Sequence, residues 1–349
     1  MTLQVNTPMG NYPIIIKRNA LSQASEYLKF AGRRVCIVTD TGVPANYAAT
    51  IADLCDHPVL FRFPQGEANK TMDTLQDLLR LLLKSGFDRA DAIVAVGGGV
   101  VTDLAGFAAA VYMRGIDFYN VPTTLLSMVD ASVGGKTAVD FEGYKNMIGA
   151  FWQPRAVVID PETLNTLPRR RLSDGLAEVI KMALTSDATL FETLEKTPLL
   201  PGEGEAVSDG IDDIIARALR IKIDVVEQDD RERGLRRVLN FGHTLGHALE
   251  SCTGLSSLYH GECVALGMLP MCDERVRARL IPLLARNGLP TAVQLPPREE
   301  ILEALTHDKK ADGEAIHTVF VPGVGEFSMQ TQTPKALADR LYATLQGKE

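Results

Sequence analysis

The chain has 349 residues, 46% hydrophobic and 23% charged, the balance of a soluble globular protein of about two domains, which excludes disorder, a collagen-like helix or a low-complexity tether. Its net charge of −8, from 44 acidic and 36 basic residues, argues against nucleic acid as a partner and requires any anion site to gather its bases in one place. No apolar run reaches the ~18 residues of a membrane span, and the N-terminus lacks a signal-peptide pattern.

Arg34–Asp40 reads as a buried strand, 75–85 as a helix, and Ala92–Val96 as a second buried strand that runs into Gly97-Gly98-Gly99. A small-residue helix is expected over 103–113, and further strands over 117–122 and 156–160. Short apolar strands alternating with helices predict an α/β fold with a parallel sheet covered on both faces. Beyond Asp160 the strand signals fade. Helices are expected over 178–195, 211–227, 238–252, 262–278 and 298–306, with one late hairpin over 317–329. The boundary is therefore placed near residue 160, dividing an α/β domain (1–160) from a mainly helical domain (161–349), and ligand sites favour clefts at such boundaries. Five cysteines (Cys36, Cys55, Cys252, Cys263, Cys272), odd in number and without CxxC spacing, predict free thiols in a reducing cytoplasm.

Two loops invite a ligand. Gly97-Gly98-Gly99-Val100 joins a strand to a helix, where glycine allows close backbone approach and the helix offers free N–H groups to a phosphate. It is not G-x-G-x-x-G, and close helix–strand packing is the competing explanation. Pro64–Lys70 is a polar loop suited to a ribose, or a plain surface turn. Among the six histidines, His243 and His247 are four apart and share a helix face, and His260 opens the next helix. Catalytic zinc takes three protein ligands and keeps a position open. The third ligand is either the remaining histidine or a carboxylate, for which Glu178, three residues before Lys181, is the best placed. Arg169-Arg170-Arg171 reads as a surface charge run.

The motifs 97–107, 122–126, 134–138, 144–146, 175–181, 240–243 and 260–262 follow one another as in the 3-dehydroquinate synthase family, a branch of the sugar phosphate cyclases, and the chain resembles that family over about residues 35–325. The resemblance implies a Rossmann-like N-terminal domain that binds NAD and a helical C-terminal domain that binds Zn2+ or Co2+. It implies metal ligation by Glu178, His243 and His260, which makes His247 catalytic, together with Glu232 and Lys181. NAD would lie on Gly98, Gly99, Val100 and Asp103, beside Thr123 and Thr124. Asp40, Glu67, Lys70, Lys136, Lys145, Thr163, Leu164, Asn165 and Thr166 would contact its other parts. The substrate would meet Asp130, Lys136, Asn146, Lys181, Lys222, Arg236, Asn240, His247 and Lys309, and Arg114 would reach in from a second copy in a homodimer. The implied reaction converts 3-deoxy-D-arabino-heptulosonate 7-phosphate to 3-dehydroquinate and phosphate in the shikimate pathway of aromatic amino acid biosynthesis, with NAD unchanged overall. Thr102 stands where many members carry glycine, and Gly42 where some carry asparagine. The alternatives are another sugar phosphate cyclase or a metal-dependent alcohol or glycerol dehydrogenase of the same fold, which would accumulate NADH.

Overall fold

Side chains along a strand alternate between the two faces of a sheet, so a strand apolar at every position feeds two layers of packing. The computed structural model describes residues 1–202, 205–253, 258–307, 311–312 and 315–346. In chain order it begins with β1 (Thr2–Thr7), β2 (Gly10–Ile16), β3 (Arg34–Asp40), α1 (Ala45–Asp53), β4 (His57–Phe63) and α2 (Met72–Lys84). It continues with β5 (Ala92–Gly97), α3 (Gly99–Val111), β6 (Asp117–Pro122), the hairpin β7 (Lys136–Phe141) and β8 (Tyr144–Phe151), and β9 (Val157–Ile159). One seven-stranded sheet has the order β1-β2-β9-β6-β5-β3-β4; β1 and β2 pair antiparallel and the other neighbours pair parallel. Val35, Ile37, Val94 and Val96 pack on one face with Tyr47 and Ile51 of α1. Cys36, Val38, Ile93 and Ala95 pack on the other with Leu78 and Leu82 of α2 and Leu104 and Ala108 of α3.

The chain adds β4 on one side of β3, then crosses to the other side for β5. The strand order therefore reverses between β3 and β5, and the crevice beyond their carboxyl ends is where open α/β sheets bind ligands. Asp40 ends β3 and the glycine turn follows β5. The hairpins β1–β2 and β7–β8 and the strand β4 were not apparent in the sequence. In β4 only Phe63 is buried, so no continuous apolar run marks it.

After Leu167 the chain builds α4 (Arg169–Ser186) and α5 (Ala188–Lys196), two helices where the sequence predicts one. Asp187 separates them, capping α5 by accepting from the N–H of Leu190 at 2.8 Å. Then comes α6 (Ile211–Gln228). Contacts divide the chain into two compact units, Met1–Leu167 with Asp209–Arg231, and Pro168–Ser208 with Glu232–Glu349. The sequence division at 160 thus differs from the contact division around α6, which groups with the sheet. Arg18 ties α6 there through Asp212 at 3.0 Å and also holds Glu162 at 2.8 Å, while Glu227 accepts from the N–H of Asn6 at 2.6 Å.

The second unit holds α4 and α5, then α7 (His243–Thr253), α8 (His260–Met268), α9 (Glu274–Arg286) and α10 (Arg298–His307). An antiparallel sheet of β10 (Ala311–Asp312), β11 (Ala315–Gly323) and β12 (Glu326–Gln332) follows, then α11 (Pro334–Leu345). The helix α4 is buried at every position from Leu172 to Thr185, which makes it the centre of this unit. No helix among the described residues is long and apolar enough to cross a membrane.

Candidate active site: a glycine turn and a carboxylate–histidine cluster

In the first unit α3 begins at Gly99, four residues before the predicted start, because Gly98 in extended conformation serves as its N-cap. The first amides of a helix have no acceptor within it, so this turn aims free donors at the crevice. A Cβ on Gly97 would lie 2.5 Å from Cγ2 of Val101, so that glycine serves helix–strand packing. One on Gly98 would meet Thr124 at 3.1 Å, and one on Gly99 would meet Ala131 at 3.3 Å. Thr124 uses its hydroxyl to cap the next turn, accepting from the N–H of Ser127 at 3.1 Å, and Thr123 donates its N–H to Gly97 at 2.9 Å. Asp40 accepts from the N–H of Gly42 at 2.7 Å. A Cβ on Gly42 would strike Gln65 Oε1 at 2.2 Å, so in this chain Gln65 fills the place of a side chain at 42.

The loop Pro64–Lys70 proves to be more than a plain surface turn. Lys70 is buried, and its ammonium lies 2.9 Å from Glu67, 3.1 Å from Asp103 and 4.0 Å from Asp140. Burial opposes its charge, but Asp103 and Glu67 more than offset this and hold the lysine well above its ordinary pKa. Burial also pushes the Asp103 carboxyl up to about 6, against the pull of Lys70. We expect Lys70→Met to cost about 3 kcal/mol by leaving buried carboxylates unpaired. Urea unfolding checks this, with the largest loss at neutral pH where the carboxylates are charged.

Of the other first-unit residues, Lys222 gives its ammonium to the carbonyl and Oδ1 of Asp130, both at 2.5 Å, on a short π-helical turn (Ser127–Ala131). Asn146 takes a positive φ of 53° and donates its N–H to Asp140 at 2.8 Å, while Lys136 opens β7 with its side chain exposed. Arg114 also has a positive φ, 67°, after Met113 at 49°. In the turn 161–166, Leu164 is a core side chain and Thr163 donates its hydroxyl to Asp160 at 2.8 Å. Thr166 bonds Tyr47 at 2.9 Å, and Asn165 bonds Glu162 at 2.9 Å.

In the second unit Glu178 is fully buried on α4. Its Oε2 takes the ammonium of Lys181, one turn on and also buried. Its Oε1 has no hydrogen-bond partner and lies 3.5 Å from Nε2 of His243 and 3.5 Å from Nε2 of His260. The Nδ1 of His243 is 3.1 Å from the carbonyl of Phe241, which places the proton on Nδ1 and turns the Nε2 lone pair toward Glu178. The Nδ1 of His260 faces Glu250 at 3.9 Å. The His247 ring stands 5.3 Å from that of His243 and 5.8 Å from that of His260, and nitrogens of the three histidines lie within 4.8 Å of one another. Two three-ligand sets are thus present. The orphaned Oε1 favours the set with Glu178, because a buried anionic oxygen without a donor is costly unless a cation meets it. One carboxylate oxygen and two imidazole nitrogens suit zinc or cobalt, so the residues fit the implied ion. Burial opposes ionisation of Glu178, yet Lys181 and His260 bring its pKa down to about 2. Burial likewise opposes charge on His260, but Glu178 and Glu250 raise it to about 10.

Glycine brings α7 and α8 this close. A Cβ on Gly267 would lie 2.0 Å from the carbonyl oxygen of Gly242, and one on Gly246 would lie 2.9 Å from that of Cys263. We expect Gly267→Ala to part the helices, lower stability by about 1–3 kcal/mol and weaken metal binding as His260 moves from His243. Thermal unfolding and zinc titration read the two effects. Elsewhere in this unit Arg236 is buried, and Asn240 donates to Glu232 at 2.5 Å. Glu232 has a φ of 57°. Lys309 lies outside the described residues. The sequence did not mark Glu250, although it shares a helix face with His243 and His247 at i+7 and i+3. The arginine run is exposed, as the sequence reading has it, and within it Arg170 pairs with Glu262 at 2.7 and 2.8 Å.

The fold, a doubly wound sheet with a glycine turn in one chain with a helical unit, is shared with an iron-containing alcohol dehydrogenase and, at higher similarity, with sugar phosphate cyclases. Solved structures of such enzymes match it. One is 2-deoxy-scyllo-inosose synthase, complexed with carbaglucose-6-phosphate, NAD+ and Co2+, with a TM-score of 0.89 and 26% identity over 99% of this chain and 100% of that one. Another is 2-epi-5-epi-valiolone synthase from Streptomyces hygroscopicus with NAD+ and Zn2+ bound, with a TM-score of 0.84 and 27% identity over 97% of each chain. Family models described as 3-dehydroquinate synthase N-terminal and C-terminal match residues 60–174 and 175–311. The 3-dehydroquinate synthase of Streptococcus suis is 41% identical over 341 residues, 93% of this chain and 95% of that one. The chain belongs to the 3-dehydroquinate synthase family.

Proposed function

We infer that this chain converts 3-deoxy-D-arabino-heptulosonate 7-phosphate to 3-dehydroquinate and inorganic phosphate, with NAD and a divalent metal as cofactors. The observation that carries the metal chemistry is the partnerless Oε1 of Glu178 facing two imidazole nitrogens at 3.5 Å. Glu178, His243 and His260 hold the ion, and Gly98, Gly99, Val100 and Asp103 hold the dinucleotide. When bound, the ion supplies a Lewis acid and the nicotinamide a reversible hydride acceptor.

The chain's own residues bind and orient the substrate. Arg236 and Lys222 are proposed to hold its carboxylate, the first as a two-point donor and the second as a point charge. Lys136, Asn146, Asn240, His247 and Lys309 are proposed for the phosphate. Lys181 keeps Glu178 ionised by holding Oε2, and Glu232, which accepts from Asn240, is proposed to move a proton. The deciding experiment supplies the heptulosonate phosphate with substoichiometric NAD. Stoichiometric phosphate and 3-dehydroquinate support the assignment, whereas net NADH or a different cyclitol product refutes it.

The same proposal includes a homodimer with Arg114 contributed across the interface and work in the cytoplasm, in keeping with five free thiols. The strained turn at Met113 and Arg114 lies beside exposed Leu83, Val111 and Met113, apolar side chains suited to cover by a second copy. Mixing inactive Arg114→Ala with inactive Glu178→Gln is expected to restore about a quarter of wild-type activity, because one site in each mixed dimer is intact. No recovery after subunit exchange refutes the shared site.

A further inference from the structure

We propose that Arg170 and Asp174 are positioning residues for His260, fixing the backbone that carries its ring. The proposal rests on Glu178, His243 and His260 as the metal ligands. Residues 170, 174 and 178 are spaced by four along α4 and so share one helix face. All three reach the same short stretch, Tyr259–Glu262. Arg170 meets both carboxylate oxygens of Glu262, Nε to Oε1 at 2.7 Å and Nη2 to Oε2 at 2.8 Å. Asp174 Oδ1 accepts from the N–H of Gly261 at 2.6 Å. Glu178 Oε1 faces Nε2 of His260 at 3.5 Å.

The bracket closes on the other side of His260 as well. Glu262 accepts from the N–H of Tyr259 at 2.8 Å, which caps α8. The Tyr259 ring carries the guanidinium carbons of Arg170 and Arg171 at 4.1 and 4.0 Å from its centroid. A Cβ on Gly261 would lie 2.1 Å from the carbonyl oxygen of Asp174, so the first turn of α8 rests on the backbone of α4. Helix packing alone does not require a buried acid at 174 or a two-point ion pair at 170, and apolar residues would pack there without desolvating charge. These polar contacts fix the height and rotation of α8 against α4. One helix thereby carries a ligand and also sets the distance to its partner ligand.

Groups that orient metal ligands typically contribute 10–100-fold in metal affinity. The test measures zinc affinity by competition with a chromophoric chelator, the visible spectrum of the cobalt form, and the melting temperature of the metal-free protein. Asp174→Ala and Arg170→Ala are each expected to weaken zinc binding about 10–100-fold and to shift the cobalt bands. Asp174→Asn keeps an oxygen for the Gly261 N–H and is expected to restore most of that affinity. Arg170→Lys keeps the charge but loses the two-point geometry, and is expected to stay weakened. Zinc affinity and cobalt bands unchanged in Arg170→Lys and in the alanine variants that fold, with only the metal-free melting temperature lowered, overturns the proposal. A wild-type chain that binds neither zinc nor cobalt overturns the ligand assignment instead.

Discussion

Removal of the divalent ion by a chelator is expected to abolish phosphate release from the heptulosonate phosphate, and zinc or cobalt is expected to restore it. Glu178→Gln is expected to lose about 10³-fold in turnover, since a bound Lewis acid supplies several kcal/mol of charge stabilisation. The variant also leaves Lys181 buried without its anion, so a stability loss of about 3 kcal/mol accompanies it. Protons compete with the ion. In the metal-free cluster His260 titrates at about 10 and Glu178 at about 2, so metal binding between these values displaces the His260 proton. Zinc affinity is therefore expected to rise about tenfold per pH unit through the neutral range. The stability of the metal-free protein follows the opposite trend at high pH. The raised His260 pKa contributes fully below its ordinary value of 6.5 and is lost as pH climbs through about 10. The depressed Glu178 pKa contributes above 4.5 and is lost as pH falls through about 2. Full turnover in metal-free protein refutes the three-ligand site.

What the sequence disclosed tracks the range over which each signal acts. The buried strands β3 and β5 declared themselves because each carries an unbroken apolar run, Val35–Val38 and Ala92–Val96, and the glycine turn stood out between such a strand and a helix. β4 hid because it is mostly exposed. The grouping of α6 with the sheet was invisible, because it depends on Arg18, Asn6 and Asp130 far away in the chain. The histidine spacing showed that His243 and His247 share a face, and spacing can say no more than that. Whether His247 or a carboxylate completes the set depends on which Glu178 oxygen Lys181 leaves unpaired on α4 and on the packing of α4 against α8. The arginine run is exposed as expected, but the two-point pairing of Arg170 with the buried Glu262 stayed hidden, because it depends on a partner helix 92 residues away in the chain.

The net charge of −8 makes the placement of bases decisive, and Lys70, Lys181, Lys222 and Arg236 are all buried. Lysine and arginine are rarely buried unless an anion pairs with them. Lys70, Lys181 and Lys222 have carboxylates of the chain for this purpose. Arg236, on the 3-10 turn Leu235–Asn240, also interacts within the chain, and its planar fork is proposed to take the substrate carboxylate. Truncating one partner of a buried charge pair costs about 2–5 kcal/mol, so Arg236→Ala is expected to lower kcat/KM on the order of 100-fold. The loss should fall mainly on KM for the heptulosonate phosphate. NAD affinity, measured by calorimetry or fluorescence, is expected to stay near wild type, because the glycine turn belongs to the other compact unit. Arg236→Lys should recover charge but not the fork, and so only part of the loss. Equal losses of NAD and substrate binding in Arg236→Ala would mean that the arginine holds the fold together, and the carboxylate assignment would fail.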